Sequence, residues 1–274
     1  MTLEQSEKYI MTKEELKAFE IPNNEPFRLE IHHKDVKYEF FIRIKKEDKN
    51  LLILGSGAFK PSAMSLPVFH RHSWIEDMDI SMIFYNDPTL YRDRLMLGWG
   101  VGDDNTHYLN EISNILSIIQ EKLSIQNSNM YFYGSSAGGF MSLMLAASFK
   151  NATAIVNNPQ TIVTNYEQSV HRILNLFNLS EEEMYEKYSD RISVVEKFKK
   201  EDHVPRIYYL QNAYVEHDVA RHLTPFLNQL REVNEEAVIS KVHVELYFNK
   251  KLGHNPIGKQ ATIAYILGVM NPKI

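Results

Sequence analysis

A serine flanked by glycines is the part of this sequence best suited to covalent chemistry. Residues 134–138 read Gly-Ser-Ser-Ala-Gly, which places Ser136 at the centre of a Gly-x-Ser-x-Gly pattern. A serine hydroxyl acts as a nucleophile when it is exposed, hydrogen-bonded to a base and directed at an electrophilic carbon. A sharp turn from a strand into a helix directs it in this way, and the turn needs small residues at the positions of Gly134 and Gly138. The pattern therefore predicts acyl chemistry at Ser136.

The segments on either side of this pattern have the character that such a turn requires. This context matters because Gly-x-Ser-x-Gly also arises by chance. Residues 129–133 form an apolar run typical of a buried strand, and apolar residues recur at helical spacing over residues 140–147. A helix that begins near Ala137 also directs its free amide hydrogens toward an oxyanion formed beside Ser136.

Apolar and β-branched runs alternate with helical patterns along the chain, which predicts the α/β class and a mostly parallel sheet flanked by helices. Residues 27–32 and 36–44 alternate apolar with polar residues around a short turn, so we expect an antiparallel hairpin at one edge. Six further runs have the composition of buried strands, namely 51–54, 80–85, 129–133, 153–156, 206–211 and 241–248. The sequence thus predicts eight strands in a single domain over residues 1–274.

The stretch 159–203 interrupts this alternation. It contains two or three amphipathic, charged helical patterns and no strand pattern. Open α/β sheets bind ligands at the carboxyl ends of their strands. We therefore interpret this stretch as a helical lid insertion above the sheet.

Composition excludes several classes of function. The 274 residues are 44% hydrophobic and 24% charged, as in an ordinary globular protein. A formal charge of −5 without a long basic run argues against binding to nucleic acid. Residues 1–20 lack the apolar core of a signal peptide, and no stretch approaches the length of a membrane span. The absence of cysteine fits a reducing compartment, although it is also compatible with a secreted bacterial protein. We expect a cytoplasmic protein that does not span a membrane.

A second segment with chemical potential lies between the third and fourth predicted strands. Residues 68–74 include His70, His72 and Trp74. A His-x-His pair could bind a metal, but both side chains face the same side only on a strand, and no nearby carboxylate completes the set. We predict no metal ion and expect these three side chains to form walls that suit a polar ligand such as a sugar.

The glycine-rich segment 97–107 contains Trp99, which we predict as a further substrate-binding residue. The glycines resemble a phosphate cradle, but the segment lacks the lysine of a P-loop and the spacing of a dinucleotide fingerprint. The acidic pair Asp103 and Asp104 suits the start of a following helix, which favours a structural use of the segment. No cofactor is predicted.

From residue 27 to residue 270 the chain resembles the α/β-hydrolase superfamily, on the basis of the strand order and the Gly-x-Ser-x-Gly turn. In that superfamily the catalytic acid follows the seventh strand and the histidine follows the eighth. The resemblance implies that His254 is the base and that Asp218 orients its imidazole. Glu216 is the alternative acid in the same loop, and Asp202 is a more distant one.

The resemblance also implies an oxyanion hole. One donor is the amide after the nucleophile, here that of Ala137, and the other comes from the loop after the third strand. In this sequence that loop offers the amides of Gly57 and Ala58. The His-Gly-Gly run of lipases is absent, so the choice between these two donors stays open.

A finer resemblance involves residues 54–58, 97–102 and 134–139. These elements are similar to those of bacterial capsular polysaccharide biosynthesis proteins and, more remotely, of the O-acetyltransferase in accessory secretion systems that modifies glycans on adhesins. This resemblance implies an esterase or O-acetyltransferase that acts on a surface or capsular glycan. The alternative is a non-catalytic subunit that binds a glycan or stabilises a polysaccharide-biosynthesis or glycosyltransferase complex, because fold alone does not decide activity.

Overall fold

The computed structural model describes residues 3–93 and 95–271, and within these ranges nine strands form one sheet. The strands are β1 (Glu7–Thr12), β2 (Phe27–His33), β3 (Val36–Arg43), β4 (Leu51–Gly55), β5 (Ser81–Tyr85), β6 (Met130–Ser136), β7 (Thr153–Pro159), β8 (Arg206–Asn212) and β9 (Val242–Tyr247). Their order across the sheet is β1-β2-β3-β5-β4-β6-β7-β8-β9. Strand β3 is antiparallel to β2 and β5, and the other neighbouring pairs are parallel.

The sheet corrects the prediction of eight strands, because β1 is a ninth. Its sequence, Glu-Lys-Tyr-Ile-Met-Thr, is largely exposed and lacks the apolar run by which a buried strand is recognised. It joins the sheet by pairing in parallel with β2. The predicted hairpin of β2 and β3 is present, but β1 rather than the hairpin forms this edge of the sheet.

Helices cover both faces of the sheet. They are α1 (Lys13–Leu16), α2 (Tyr108–Lys122), α3 (Ala137–Ala147), α4 (Glu167–Phe177), α5 (Glu181–Ile192), α6 (Val194–Glu201), α7 (Glu216–Asp218), α8 (Thr224–Lys241) and α9 (Lys259–Met270). A π-helical turn over Val219–Leu223 joins α7 to α8. None of the helices in the described ranges has both the length and the apolar character needed to cross a membrane.

Two apolar clusters hold these layers together, and β6 contributes alternate residues to them. Phe132 packs in the same cluster as Ile112 of α2 and Phe140 of α3. Tyr133 belongs to the opposite cluster, with Ile266 of α9. Burial of an apolar side chain of this size contributes about 1.5–3 kcal/mol. This packing fixes the end of β6, and therefore the position of Ser136.

The three helices α4, α5 and α6 lie between β7 and β8 in the chain. Helix α6 packs against α3 and α8. Helix α5 is anchored to the glycine-rich segment, because the Tyr188 hydroxyl donates to the Asp104 carbonyl at 3.1 Å and Arg191 Nη1 donates to the Asp103 carbonyl at 2.6 Å. The role of residues 159–203 as a lid stays a prediction.

Candidate active site

Ser136 lies at the junction of β6 and α3 in a strained backbone conformation. Its φ is 54° and its ψ is −127°, and the pairing register between β6 and β7 shifts between Ser135 and Ser136. A positive φ is costly for a residue with a side chain. The Ser136 carbonyl accepts a hydrogen bond from the backbone N–H of Gln160 at 3.2 Å. The turn therefore has the geometry that presents a serine hydroxyl at the end of a strand.

Two glycines permit this turn through the close approach of backbone segments. A Cβ on Gly134 would lie 2.1 Å from the Gly138 carbonyl oxygen, and a Cβ on Gly138 would lie 2.9 Å from the Gly55 carbonyl oxygen. Neither position accommodates a side chain without movement of the backbone. The requirement for small residues on both sides of Ser136 is thus explained by contacts of α3 with β6 and with the loop after β4.

An imidazole and a carboxylate form a hydrogen-bonded pair at the same end of the sheet. His254 Nδ1 lies 2.6 Å from Asp218 Oδ2, and Asp218 is only 4% exposed. His254 Nε2 has no hydrogen-bond partner among the residues described. When Nδ1 donates to a carboxylate, Nε2 is left as the acceptor. Glu216, the alternative acid, lies two residues before Asp218 and is exposed, and Asp202 is exposed at the end of α6.

Buried asparagines at the ends of β7 and β8 hold the loop that carries His254. Asn158 Nδ2 donates to the carbonyls of His254 and Asn255 at 3.0 and 3.1 Å. Asn212 Nδ2 donates to the Gly253 carbonyl at 2.8 Å. The backbone N–H of Asn212 donates to Asn158 Oδ1 at 2.7 Å. Neither asparagine was predicted from the sequence. Polar residues directly after two predicted buried strands were the signal that could have identified them.

Ser136 and His254 line one cleft of about 230 Å³. The residues that line it are Gly57, Ala58, His70, Arg71, Ser135, Ser136, His254, Asn255 and Pro256. The loop after β4 is tied to the segment 68–74, because Ser56 Oγ donates to the Val68 carbonyl and accepts from the His70 amide, both at 3.0 Å. The structure thus brings together Ser136, His254 and the segments predicted to supply an oxyanion hole and a wall.

The three side chains of residues 68–74 that were predicted as walls occupy different environments. His70 lines the cleft. His72 is exposed, and its Nδ1 lies 2.9 Å from the Phe69 carbonyl. Trp74 is buried against the ring of Tyr133. Of the three, His70 is the residue that the structure places in the wall of the cleft, which corrects the prediction for His72 and Trp74. Residues 3–93 and 95–271 contain no group of three or more His, Asp or Glu side chains that could hold a metal ion.

Trp99 lies in the core rather than on a wall of the cleft, which corrects the prediction made for it. The side chain is 0% exposed, and its Nε1 donates to Gln160 Oε1 at 2.6 Å. The indole is apolar and its single donor is satisfied, so burial is favourable. Because the backbone N–H of Gln160 donates to the Ser136 carbonyl, Trp99 supports the turn indirectly through Gln160.

Arg71 is a residue of the cleft that the sequence analysis did not single out. Its Nη2 donates to Ser135 Oγ at 2.7 Å. Its guanidinium carbon lies 5.5 Å from the centroid of Trp74 and 5.3 Å from that of Tyr133. The signal available in the sequence was a cation between two histidines, in a loop expected near the mouth of the site.

His222 is a buried histidine in the π-helical turn after α7, and it should make the stability of the protein depend on pH. Burial lowers the pKa of His222 to about 4, and the nearby Asp218 opposes this shift only in part. Between pH values of about 6.5 and 4, the unfolded chain therefore binds a proton at His222 that the folded chain does not. We expect the free energy of unfolding to fall on acidification through this range, by about 1.4 kcal/mol per pH unit for each such histidine. Urea denaturation at a series of pH values measures this slope.

A matched pair of variants tests the source of that slope. In His222→Asn the amide oxygen can still accept the bond that Thr161 N donates to His222 Nδ1 at 3.3 Å, but no group titrates. In this variant the slope should decrease by the contribution of one bound proton, about 1.4 kcal/mol per pH unit. It should stay unchanged in the exposed control His171→Asn. An unchanged slope in His222→Asn would show that His222 is not the group responsible.

Comparisons with known proteins give a fold but no close relative. No protein-family model matches this chain, and no curated protein matches its sequence. Among solved structures, the chain is similar to a mutant of the capsule O-acetyltransferase of Neisseria meningitidis serogroup A in complex with CoA. The TM-score is 0.60 and the identity 16%, over 93% of this chain and 100% of that one.

Two other solved structures are similar over most of this chain. The serine hydrolase FphF of Staphylococcus aureus, which binds fluorophosphonates, gives a TM-score of 0.58 at 12% identity, over 91% of this chain and 100% of that one. The glycosylation-associated Gap123 complex of Streptococcus agalactiae gives a TM-score of 0.58 at 15% identity, over 87% of this chain and 44% of that one. At such identities the likeness establishes a shared fold.

Proposed function

We propose, from the α/β-hydrolase-like fold that this chain shares with a capsule O-acetyltransferase, that Ser136, His254 and Asp218 form the catalytic triad of an acyl-ester enzyme. The observation that carries this proposal is the bond of 2.6 Å between His254 Nδ1 and Asp218 Oδ2. His254 Nε2 has no partner in the part of the chain that the structure describes, and Ser136 and His254 line the same cleft. A carboxylate behind an imidazole holds the ring and stabilises its protonated form.

The proposed reaction uses these three groups in the roles of a serine acyl enzyme. Ser136 Oγ attacks the ester carbonyl carbon while His254 Nε2 takes its proton, and Asp218 stabilises the resulting imidazolium. The tetrahedral intermediate then breaks its bond to the alcohol, which leaves with the proton from His254. Water or a sugar hydroxyl, deprotonated by His254, attacks the acyl-serine. The bond to Ser136 Oγ then breaks, His254 returns the proton to that oxygen, and the acid or the new ester is released.

The intermediate's oxyanion needs two donors beside Ser136. The Ala137 amide is one of them, because it is the first residue of α3. We assign the second to Gly57 rather than Ala58, because the backbone of Gly138 passes so close to Gly57 that a Cβ on Gly138 would lie 3.2 Å from the Gly57 nitrogen. The loop after β4 therefore borders the start of α3 where the oxyanion forms.

A glycan is the proposed acyl acceptor or ester substrate. The likeness to a capsule O-acetyltransferase supports this choice, and so does a cleft whose walls offer the polar side chains of His70 and Asn255. Burial, assisted by Arg71, lowers the pKa of His70 to about 4, so His70 is a neutral hydrogen-bonding group at neutral pH. The CoA in the neisserial complex supports an acyl thioester as donor, which is a substrate and not a cofactor.

Covalent labelling tests the triad directly. A fluorophosphonate probe should react with Ser136 of the folded protein, and mass spectrometry of the labelled peptide should locate the adduct there. Ser136→Ala should remove the labelling, and His254→Ala should slow it by about 100-fold or more because no base remains. The control Ser135→Ala changes the neighbouring hydroxyl and should still be labelled. Well-folded protein that resists the probe, or an adduct on Ser135, contradicts the proposal.

The likeness to the streptococcal Gap123 complex supports a second candidate function. In this case the chain would be a non-catalytic subunit that binds a glycan or stabilises a glycosyltransferase complex. The two candidates differ in the reactivity of Ser136. A folded protein that binds an oligosaccharide in calorimetry but never reacts with the probe would favour the subunit.

A further inference from the structure

The guanidinium group of Arg71 is a cation in the wall of the cleft whose contacts include no carboxylate. Its partners among the described residues are the Ser135 hydroxyl at 2.7 Å and the faces of Trp74 and Tyr133. Arginine is fully charged at neutral pH. Among the described residues that line the cleft there is no Asp or Glu.

The remaining donors of Arg71 are available to a ligand. A guanidinium group carries five N–H donors in a planar fork, and the bond to Ser135 uses one of them. None of the Arg71 nitrogens is a buried atom without a partner. Arg71 also lines the cleft that contains Ser136.

Contacts within the protein restrict the orientation of this group. Two aromatic rings lie within 5.5 Å of the guanidinium carbon and hold it by cation–π contacts. Arg71 also has a φ of 65°, in the left-handed region that residues with side chains seldom occupy. A side chain that is ordered in advance binds a ligand with less loss of conformational entropy.

The anchor of Arg71 is adjacent in the chain to the nucleophile. Ser135, which accepts the bond from Arg71, directly precedes Ser136. A group bound by Arg71 therefore lies in the same cleft as the attacking hydroxyl. His70 adds no charge beside it, because its pKa is lowered to about 4, chiefly by burial.

We propose that Arg71 binds an anionic oxygen group, a carboxylate or a phosphate, of the substrate whose ester Ser136 attacks. This inference rests on the proposed function and narrows its substrate class to acyl esters of acidic or phosphorylated sugars. The planar guanidinium fork can bind two oxygens of a carboxylate or of a phosphate through two parallel hydrogen bonds.

Three matched esters test the inference: mono-O-acetylated glucose, glucuronic acid and glucose phosphate, with acetate release as the readout. The unaltered protein should give a kcat/KM about tenfold or more higher for at least one of the acidic esters than for acetylglucose. The carboxylate and phosphate esters separate the two sources of the anion. Equal kcat/KM values for all three esters would overturn the inference.

Variants at Arg71 then assign the preference to this side chain. Arg71→Met keeps an unbranched stem against the two rings and should lower kcat/KM for the preferred acidic ester by about 10- to 100-fold, with less than about threefold change for acetylglucose. Arg71→Lys keeps the charge without the fork and should lie between them. The exposed control Arg231→Met should match the unaltered protein. An equal loss on neutral and acidic esters would show that Arg71 only supports Ser135.

A binding measurement separates this inference from the proposed function. The Ser136→Ala protein, with and without Arg71→Met, is titrated by calorimetry with glucose, glucuronate and glucose phosphate. Arg71→Met should weaken binding of the preferred acidic sugar by about tenfold or more and leave glucose unchanged. If this difference is found but no ester is hydrolysed, the proposed function fails and the anion site stands. If esters are hydrolysed but the difference is absent, the anion site fails alone.

Discussion

Replacing Ser136 by alanine should lower kcat for hydrolysis of a chromogenic acetate ester by about 10⁴- to 10⁶-fold, because no oxygen remains to form the acyl-enzyme. The residual rate reflects the oxyanion donors and substrate binding alone. The free energy of unfolding should change by less than about 1 kcal/mol, since alanine carries the same backbone strain at a φ of 54°. Release of 4-nitrophenol and urea denaturation measure the two quantities.

The neighbouring Ser135→Ala is the matched control for this result. Ser135 also lines the cleft, but its hydroxyl is already bonded to Arg71. Its removal should cost far less than the removal of the Ser136 hydroxyl. A Ser136→Ala protein that keeps its activity would refute the nucleophile, and one that unfolds would point to a packing role for Ser136.

The part of the fold that could be predicted is the part that buried side chains determine. Strands β4, β6 and β7 are continuous buried runs, and they occur where the apolar runs indicated. Strand β1 could not be found in this way, because an edge strand is held by backbone hydrogen bonds that any side chain permits. The other edge strand, β9, was found from its apolar run, but it is largely exposed rather than buried as that run predicted.

The candidate site also contains residues that could be predicted from the sequence and residues that could not. The order of Ser136, Asp218 and His254 along the chain could be read from the resemblance, because each follows a strand of the sheet. The residues that hold them in place could not, since their contacts join distant positions. Asn158 bonds to the carbonyl of a residue 96 positions later. No local pattern encodes such a contact.

Trp99 shows how a local reading can assign the wrong role. An indole among glycines in a loop has the composition of a binding wall, and the same composition suits a tightly packed core. The structure decides for the core through the bond to Gln160 at 2.6 Å. The sequence gives the chemistry of a side chain, but only the packing of distant segments decides whether a ligand can reach it.

Replacing Asp218, the proposed catalytic acid, should give the second large loss of activity. Asp218→Asn should lower kcat by about 10³- to 10⁴-fold, because an amide carries no charge to stabilise the imidazolium and can bind the ring in the wrong tautomer. Asparagine has nearly the same shape, so the protein should remain folded. Steady-state hydrolysis of the same acetate ester measures the loss.

The matched control is Glu216→Gln, two residues earlier in the same short helix. Glu216 is exposed, whereas Asp218 is 4% exposed and lies 2.6 Å from His254 Nδ1. A carboxylate in water is screened and contributes little to a distant imidazolium. Glu216→Gln should therefore change kcat by less than about twofold. If Glu216→Gln is the more damaging of the two, the acid has been misassigned, and the short bond between His254 and Asp218 would serve only to hold the loop.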